Sequence, residues 1–164
     1  MNALPVSITS ARTETDFALV KQLFLEYAAS IGVDLEYQGF GAELAGLPGK
    51  YAPPTGELLI GRVNGEAGGC VALRALDHAT LEMKRLYVRA SARGMGLGKR
   101  LVEAAIISAR ASAREQGYAE LRLDTLATMA AAQALYRSLG FVEIPPYGDV
   151  YLPDTRFYAL ALSD

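Results

Sequence analysis

Cysteine, histidine and tryptophan are nearly missing from this chain. Its 164 residues include one cysteine, Cys70, one histidine, His78, and no tryptophan. A lone cysteine excludes an intrachain disulfide and leaves no basis for a cysteine-based metal site. His78 lies in Asp77-His78-Ala79-Thr80, a turn sequence, and reads as a surface residue rather than a catalytic one. Charge of one sign is missing too: 16 basic and 18 acidic side chains leave a formal net charge of −2. The whole-chain basic footprint of a nucleic-acid binder is therefore absent. No apolar run approaches the ~18 residues of a membrane span. Met1-Asn2-Ala3-Leu4-Pro5 has neither the basic region nor the apolar core of a signal peptide. The expectation is a cytoplasmic protein with no metal, membrane or nucleic-acid partner.

What is present is enough apolar residue for one core, at 51% of the chain, so residues 1–164 read as a single domain. Val6-Ser7-Ile8-Thr9 alternates as a half-buried strand does. Phe17, Leu19, Val20, Leu23, Phe24 and Tyr27 recur at helical spacing, with Thr13 or Thr15 as cap and Gly32 as stop. Residues 33–55 are irregular, apart from a short helical piece around Ala42–Leu47. Asn64-Gly65 between two apolar runs signals a hairpin. A second turn at Asp77-His78 leads into a third strand, Thr80 to Val88. Beyond residue 100 the pattern gives a helix to about Gln116, a strand over Leu121–Leu126, a helix over Met129–Leu139, and strands at Phe141–Ile144 and Thr155–Leu162. The order β-α-α-β-β-β-α-β-α-β-β predicts a mixed α/β fold, with helices covering both faces of one sheet.

The segment Arg93-Gly94-Met95-Gly96-Leu97-Gly98-Lys99-Arg100-Leu101 carries the most information. Three alternating glycines between a strand and a helix suggest a backbone that approaches a ligand closely, and the helix N-terminus makes an anion the natural ligand. Two common phosphate motifs fail on spacing. The dinucleotide fingerprint needs a third glycine where Lys99 or Leu101 stands. The nucleotide P-loop needs Gly where Arg93 stands and Ser or Thr where Arg100 stands. The spacing that fits is R-x-x-G-x-G, read as Arg93, Gly96 and Gly98. Lys84, Arg85, Arg89, Arg93, Lys99 and Arg100 make the neighbourhood locally basic, which suits a small anion. A solvated glycine turn is the other reading of the loop alone.

That spacing resembles the acetyl-CoA diphosphate loop of the GNAT superfamily of N-acetyltransferases. The resemblance extends over residues 80–144. Glu82-Met83-Lys84-Arg85-Leu86-Tyr87-Val88 resembles the family's fourth strand, and residues 80–116 its strand–loop–helix cofactor core. Ala132 to Phe141, with Leu135-Tyr136 and Leu139-Gly140-Phe141, resembles its late helix. Residues 1–79 agree only in pattern. The order of elements read from periodicity is also that of the GNAT fold.

The resemblance implies an enzyme that moves an acetyl group from acetyl-CoA to a primary amine of a small molecule, amino acid or peptide, by direct attack. It also leaves room for a non-catalytic acyl-CoA-binding sensor module. Acetyl transfer needs a proton acceptor for the amine, since an ammonium of pKa ~10 dominates near neutrality. It also needs a donor for the carbonyl oxygen and a proton for the departing thiolate. Glu82 occupies the position of the catalytic glutamate in some members; its other reading is a strand glutamate paired with Lys84 or an arginine. Tyr136 occupies the position of the tyrosine near the CoA sulfur; its other reading is a core aromatic. By resemblance, backbone groups of Leu86, Tyr87 and Val88 pair with the pantetheine arm, and Arg93 and Lys99 add charge near the phosphates. Cofactor contact is thus expected from Leu86–Val88 and from Arg93 through Lys99. Met129 replaces an asparagine that many members carry. The resemblance places the acceptor site in residues about 26–55 and 145–157, which hold Glu26, Tyr27, Asp34, Glu36, Tyr37, Tyr147, Asp149, Tyr151 and Arg156. Carboxylates and phenols suit a cationic amine, whereas Arg156 suits a substrate carboxylate. A homodimer through the late strands is compatible with the resemblance.

Overall fold

The alternating side chains of Val6–Ser10 form strand β1, and the helical repeat that follows becomes α1 (Glu14–Ile31). The structure is a computed structural model that describes residues 5–148 and 151–163. Thr13 caps α1 reciprocally: its hydroxyl accepts from the Asp16 N–H, and the Asp16 carboxylate accepts from the Thr13 N–H. Such a cap contributes about 1 kcal/mol. Gly32, at φ 66°, ends the helix. The irregular stretch contains a 3-10 turn at Leu35–Gln38 and the short helix α2 (Phe40–Ala45).

Strands β2 (Glu57–Val63), β3 (Glu66–Ala75) and β4 (Thr80–Val88) form the expected meander. Asn64 and Gly65 make the first turn, with φ of 53° and 84°, as a tight hairpin requires. Then come α3 (Leu97–Gln116), β5 (Glu120–Leu126), α4 (Ala130–Ser138), β6 (Val142–Ile144) and β7 (Thr155–Ala161). The order of helices and strands is the one the periodicity predicts. The seven strands form one sheet in the order β1-β2-β3-β4-β5-β7-β6. All neighbours are antiparallel except β4 and β5.

The period-2 alternation divides each strand between two cores. Leu59, Val71, Leu73, Leu81, Met83, Leu121 and Leu123 face α3 and α4, meeting Leu97, Leu101, Val102, Ala105 and Tyr136. Leu58, Ile60, Cys70 and Ala72 face α1 and α2, meeting Val20, Leu23, Phe24 and Phe40. Gly61 lets α3 lie close on the sheet, since a Cβ there would sit 2.7 Å from Leu97 Cδ1. Among the described residues no helix is long and apolar enough to cross a membrane.

The feature that positions the site is a failure of pairing. β4 and β5 pair only from Thr80↔Glu120 to Glu82↔Arg122 and then part. A bulge in β4 accompanies the parting: Cys70 faces Tyr87 but Ala72 faces Lys84, so β4 holds one residue more than β3 across that interval. Arg85, in the bulge, takes φ 63°. That left-handed backbone costs a non-glycine residue ~1–3 kcal/mol and bends the strand.

Candidate active site

Beyond Glu82 the edge of β4 that would face β5 has no strand partner, so the backbone groups of Leu86, Tyr87 and Val88 border an open wedge. One side of the wedge is a slot lined by Leu86, Tyr87, Val88, Arg93, Gly98 and the start of α4 from Met129 to Leu135. The other side is a cleft whose wall includes Tyr27, Lys84, Asp124, Met129 and Tyr136. The two share Tyr27, Leu86 and Met129 and so adjoin where the strands part.

The glycine loop ends at the slot. Gly94 and Gly96 take φ of 81° and 76°, and a Cβ on either would meet nothing within 4 Å. Gly96 caps α3 without any side-chain hydrogen bond. The first intrahelical bond made here is Arg100 N–H to the Gly96 carbonyl, at 3.1 Å. The N–H groups of Leu97, Gly98 and Lys99 therefore have no intrahelical acceptor, and the helix dipole adds partial positive charge at the same place. This is a fit for a diphosphate. Leu97 contributes only backbone, because its side chain is buried in the core at 1% exposure. The side chains of Met95 and Lys99 are exposed, and Arg93 joins the slot wall.

The basic cluster expected beside this loop is smaller than the sequence suggests. Arg85 points the other way and is buried, with Nε and Nη2 donating to Glu43 at 2.9 and 3.1 Å and Nη1 to Gln38 at 2.8 Å. Its guanidinium also lies 5.1 Å from the Phe40 ring centroid. Arg85 thus ties the β4 bulge to α2. Arg89 is spent on Glu26, at 2.9 and 2.8 Å, and the Tyr87 hydroxyl donates to the same carboxylate. Acids on α1 and α2 neutralise these two arginines, leaving Arg93, Lys99 and Arg100 at the loop.

Tyr136 is carried on α4, which is fastened to the end of β5. The Gln133 amide donates to the carbonyls of Leu126 and Ala127, and the Tyr158 hydroxyl donates to Gln133. The Tyr136 ring packs against Phe141 and Tyr158 while lining the cleft. Among the described residues its hydroxyl has no hydrogen-bond partner. Burial, with smaller contributions from Tyr27 and Asp124, pushes its pKa well above the ordinary phenol value, so it enters any reaction protonated. Tyr136 is thus a core ring, as one reading of the sequence has it, that also contributes to the cleft wall. Met129, at the usual asparagine position, precedes α4 and offers no side-chain cap; its sulfur accepts from Thr125 at 3.7 Å.

Glu82 is buried on β4, on the sheet face opposite α3. Arg74 donates to one oxygen at 2.8 Å and the Tyr147 hydroxyl to the other at 2.9 Å; Lys84 Nζ stands 3.9 Å away. Burial raises its pKa, but Lys84, Arg74 and Tyr147 more than offset that and leave it below the ordinary carboxylate value. Glu82 does not line the cleft. Asp124 does. In β5, Arg122 and Asp124 alternate with buried Leu121 and Leu123, so Asp124 shares the face of Glu82 and Lys84. Burial raises the Asp124 pKa, Lys84 opposes this and Glu82 adds to it, with a net upward shift. The sequence reading missed Asp124. Its signal was a lone carboxylate in the alternation Leu121-Arg122-Leu123-Asp124.

The acceptor residues expected from the sequence divide in two. Tyr27 and Tyr37 line the cleft. Asp34 and Glu36 instead accept local backbone N–H groups, and Tyr151 packs on Phe157. Arg156 lies outside the cleft, exposed and 3.6 Å from Glu143. Asp149 falls outside the described residues. Among the described residues no group of three or more histidine, cysteine or acidic side chains is placed to hold a metal ion.

A model of the "Acetyltransferase (GNAT) domain" family matches residues 54–143, which span the wedge, the loop and Tyr136. The chain belongs to the GNAT acetyltransferase family. It is 38% identical over 160 residues to an uncharacterized N-acetyltransferase of Schizosaccharomyces pombe, covering 96% of each chain. Among solved structures, an acetyltransferase from Streptococcus agalactiae matches with TM-score 0.75 and 22% identity, over 95% of this chain and 98% of that one. An acetyltransferase from Salmonella typhimurium, solved with acetyl-CoA, matches with TM-score 0.63 and 23% identity, over 97% and 95%. Those two share the fold. As a GNAT protein the chain is an acetyl-CoA-dependent acyltransferase, and the slot beside Gly98 adjoins the loop whose free N–H groups suit that cosubstrate's diphosphate.

Proposed function

We propose that this GNAT enzyme N-acetylates a primary amine on a small molecule, an amino acid or a peptide, by direct attack within the β4–β5 wedge. The observation that carries the reading is that slot and cleft share Leu86 and Met129, with Tyr136 on the cleft wall. Acetyl-CoA supplies the acetyl group as an activated thioester. The unpaired edge at Leu86–Val88 offers N–H and C=O groups to an extended ligand, as an added strand would use them. Gly94–Lys99 present backbone N–H groups to the diphosphate, and Arg93 and Lys99 add charge.

The acceptor amine must shed a proton before or as it forms the new C–N bond. Asp124 is the direct proton acceptor in this proposal, because its carboxylate faces the cleft and its raised pKa brings its basicity nearer to what the task needs. Glu82 keeps a relayed part, through water, since Arg74 and Tyr147 occupy its own oxygens. As the C–S bond breaks, the Tyr136 hydroxyl donates its proton to the leaving sulfur. Cys70 takes no part: it is buried, its Sγ donates to the Arg85 carbonyl, and burial raises its pKa.

The test is Tyr136→Phe, which keeps the ring and its packing. We expect kcat to fall ~10²-fold or more while the Kd for acetyl-CoA stays near the wild-type value. Unchanged kcat in the Phe variant, at saturating amine, would remove Tyr136 from the chemistry.

A further inference from the structure

Two charges in the cleft are left without a hydrogen-bonding partner. Extending the register of Glu82↔Arg122 along both strands sets Lys84 level with Asp124 on the same face, at the point where the strands part. Both line the cleft. The Lys84 side chain is 10% exposed, and its nearest acid, Glu82, is 3.9 Å away, beyond hydrogen-bond reach. Asp124 is held above the ordinary carboxylate pKa, chiefly by burial. Among the described residues neither makes a hydrogen bond, and the two do not meet as an ion pair. Every other charge nearby is satisfied: Glu82 by Arg74 and Tyr147, Arg85 by Glu43 and Gln38. A desolvated charge that makes no hydrogen bond is costly, and a ligand that supplies one recovers part of that cost.

We propose that the acceptor is a small zwitterion, a free α-amino acid, whose amine meets Asp124 and whose carboxylate meets Lys84. This rests on the acetyl-transfer reading above and narrows it to a substrate class. A simple amine or a polyamine would leave Lys84 buried beside a second cation. An internal peptide segment has no carboxylate for it. Residues of α1, β4 and β5 wall the cleft on several sides, which favours a small acceptor. Ile31, Val33, Leu35 and Leu152 complete the wall and favour an apolar side chain on the amino acid. Lys84 replaces Arg156 as the carboxylate partner suggested by the sequence. In the transfer, the ammonium first loses one proton to Asp124; the free amine then forms the C–N bond with the acetyl carbon, and as the C–S bond breaks the thiolate takes the Tyr136 proton while the second nitrogen proton restores the Tyr136 hydroxyl, so that one proton remains in excess on Asp124. Atoms balance as amino acid plus acetyl-CoA giving N-acetyl amino acid plus CoA.

The experiment uses matched acceptors that differ only in the carboxylate: L-alanine, L-alaninamide and ethylamine, and L-leucine, L-leucinamide and isoamylamine. Each is assayed by thiol release with the full-length protein and saturating acetyl-CoA. The amino acids should exceed their amides and amines in kcat/KM by tenfold or more. Lys84→Met should abolish that preference, mainly by raising KM for the amino acid, and Lys84→Arg should restore part of it. Acetyl-CoA binding by calorimetry reports whether each variant is folded. Equal rates across each matched set overturn the zwitterion proposal and leave acetyl transfer standing. So does a Lys84→Met variant that lowers all three members of a set alike. If no acceptor of any class is acetylated by protein that binds acetyl-CoA, the acetyl-transfer reading itself fails.

Discussion

Replacing Gly98 by alanine separates the stability of the loop from its use. Gly98 lies in the first turn of α3 and on the wall of the slot. A Cβ there would sit 3.6 Å from Val88 Cγ2 and 4.0 Å from Leu135 Cδ2, ordinary contact distances. The protein therefore accommodates the methyl group without a clash. Alanine is favoured over glycine inside a helix by up to ~1 kcal/mol, so Gly98→Ala should hold or raise stability, by at most about 2–4 °C in Tm for a chain of this size. The same methyl group enters the space that acetyl-CoA needs, where the loop backbone must approach the ligand. Displacing the ligand by even one lost charge-assisted hydrogen bond costs ~1.5–3 kcal/mol, or roughly 10- to 150-fold in Kd. The assay is calorimetric titration with acetyl-CoA beside a thermal melt of the free protein, with Gly98→Val as the larger step. An alanine variant as stable as wild type that binds at least tenfold more weakly is the expected result. An alanine and a valine variant that both bind acetyl-CoA like wild type would refute the placement of the cosubstrate against this glycine.

The carboxylates give predictions of opposite sign. Glu82 has a lowered folded pKa, so its stabilisation is present above its unfolded value of ~4.3 and is lost as pH falls through the folded value. Glu82→Gln should cost ~1–3 kcal/mol at pH ~7, and denaturant titrations should show that gap closing on acidification. Asp124 has a raised folded pKa, so its favourable contribution is complete below ~3.9 and is lost as pH rises through the folded value. Asp124→Asn should therefore leave the protein at least as stable at neutral pH while lowering kcat by ~10²-fold or more; a destabilised but fully active variant would contradict that role. Tyr136→Phe should spare acetyl-CoA affinity and slow turnover, as set out above, which single-turnover and binding measurements separate.

The glycine loop of the candidate site was legible in the sequence because it is local. Arg93, Gly96 and Gly98 lie in one turn, and glycine spacing at a strand-to-helix junction reflects a backbone requirement that needs no distant partner. The order of elements was legible for a similar reason: Asn64-Gly65 and Gly32 punctuate clean periodicities. The proposed acceptor side depends on residues far apart in the chain. Lys84 and Asp124 reach one cleft only through the parallel pairing of β4 with β5, which no turn signal announces. The bulge at Arg85 was hidden, because Lys84-Arg85-Leu86 contains neither glycine nor proline to mark a left-handed residue. Arg85 and Arg89 read as part of an anion site because their partners, Glu43 and Glu26, belong to helices whose docking the sequence does not show. Glu82 was found by its position on the strand, but the hydrogen bonds from Arg74 and Tyr147 that change its chemistry come from β3 and from the segment after β6.

The central claim is that the parted strands, the glycine loop and Tyr136 make one N-acetyl-transfer site. It is tested most directly by following thiol release from acetyl-CoA with a panel of amines and amino acids, while mass spectrometry identifies the product. The account predicts amine-dependent thiol release matched by a product carrying one acetyl group on its nitrogen. Tight binding of acetyl-CoA with no amine-dependent release across the panel would contradict it.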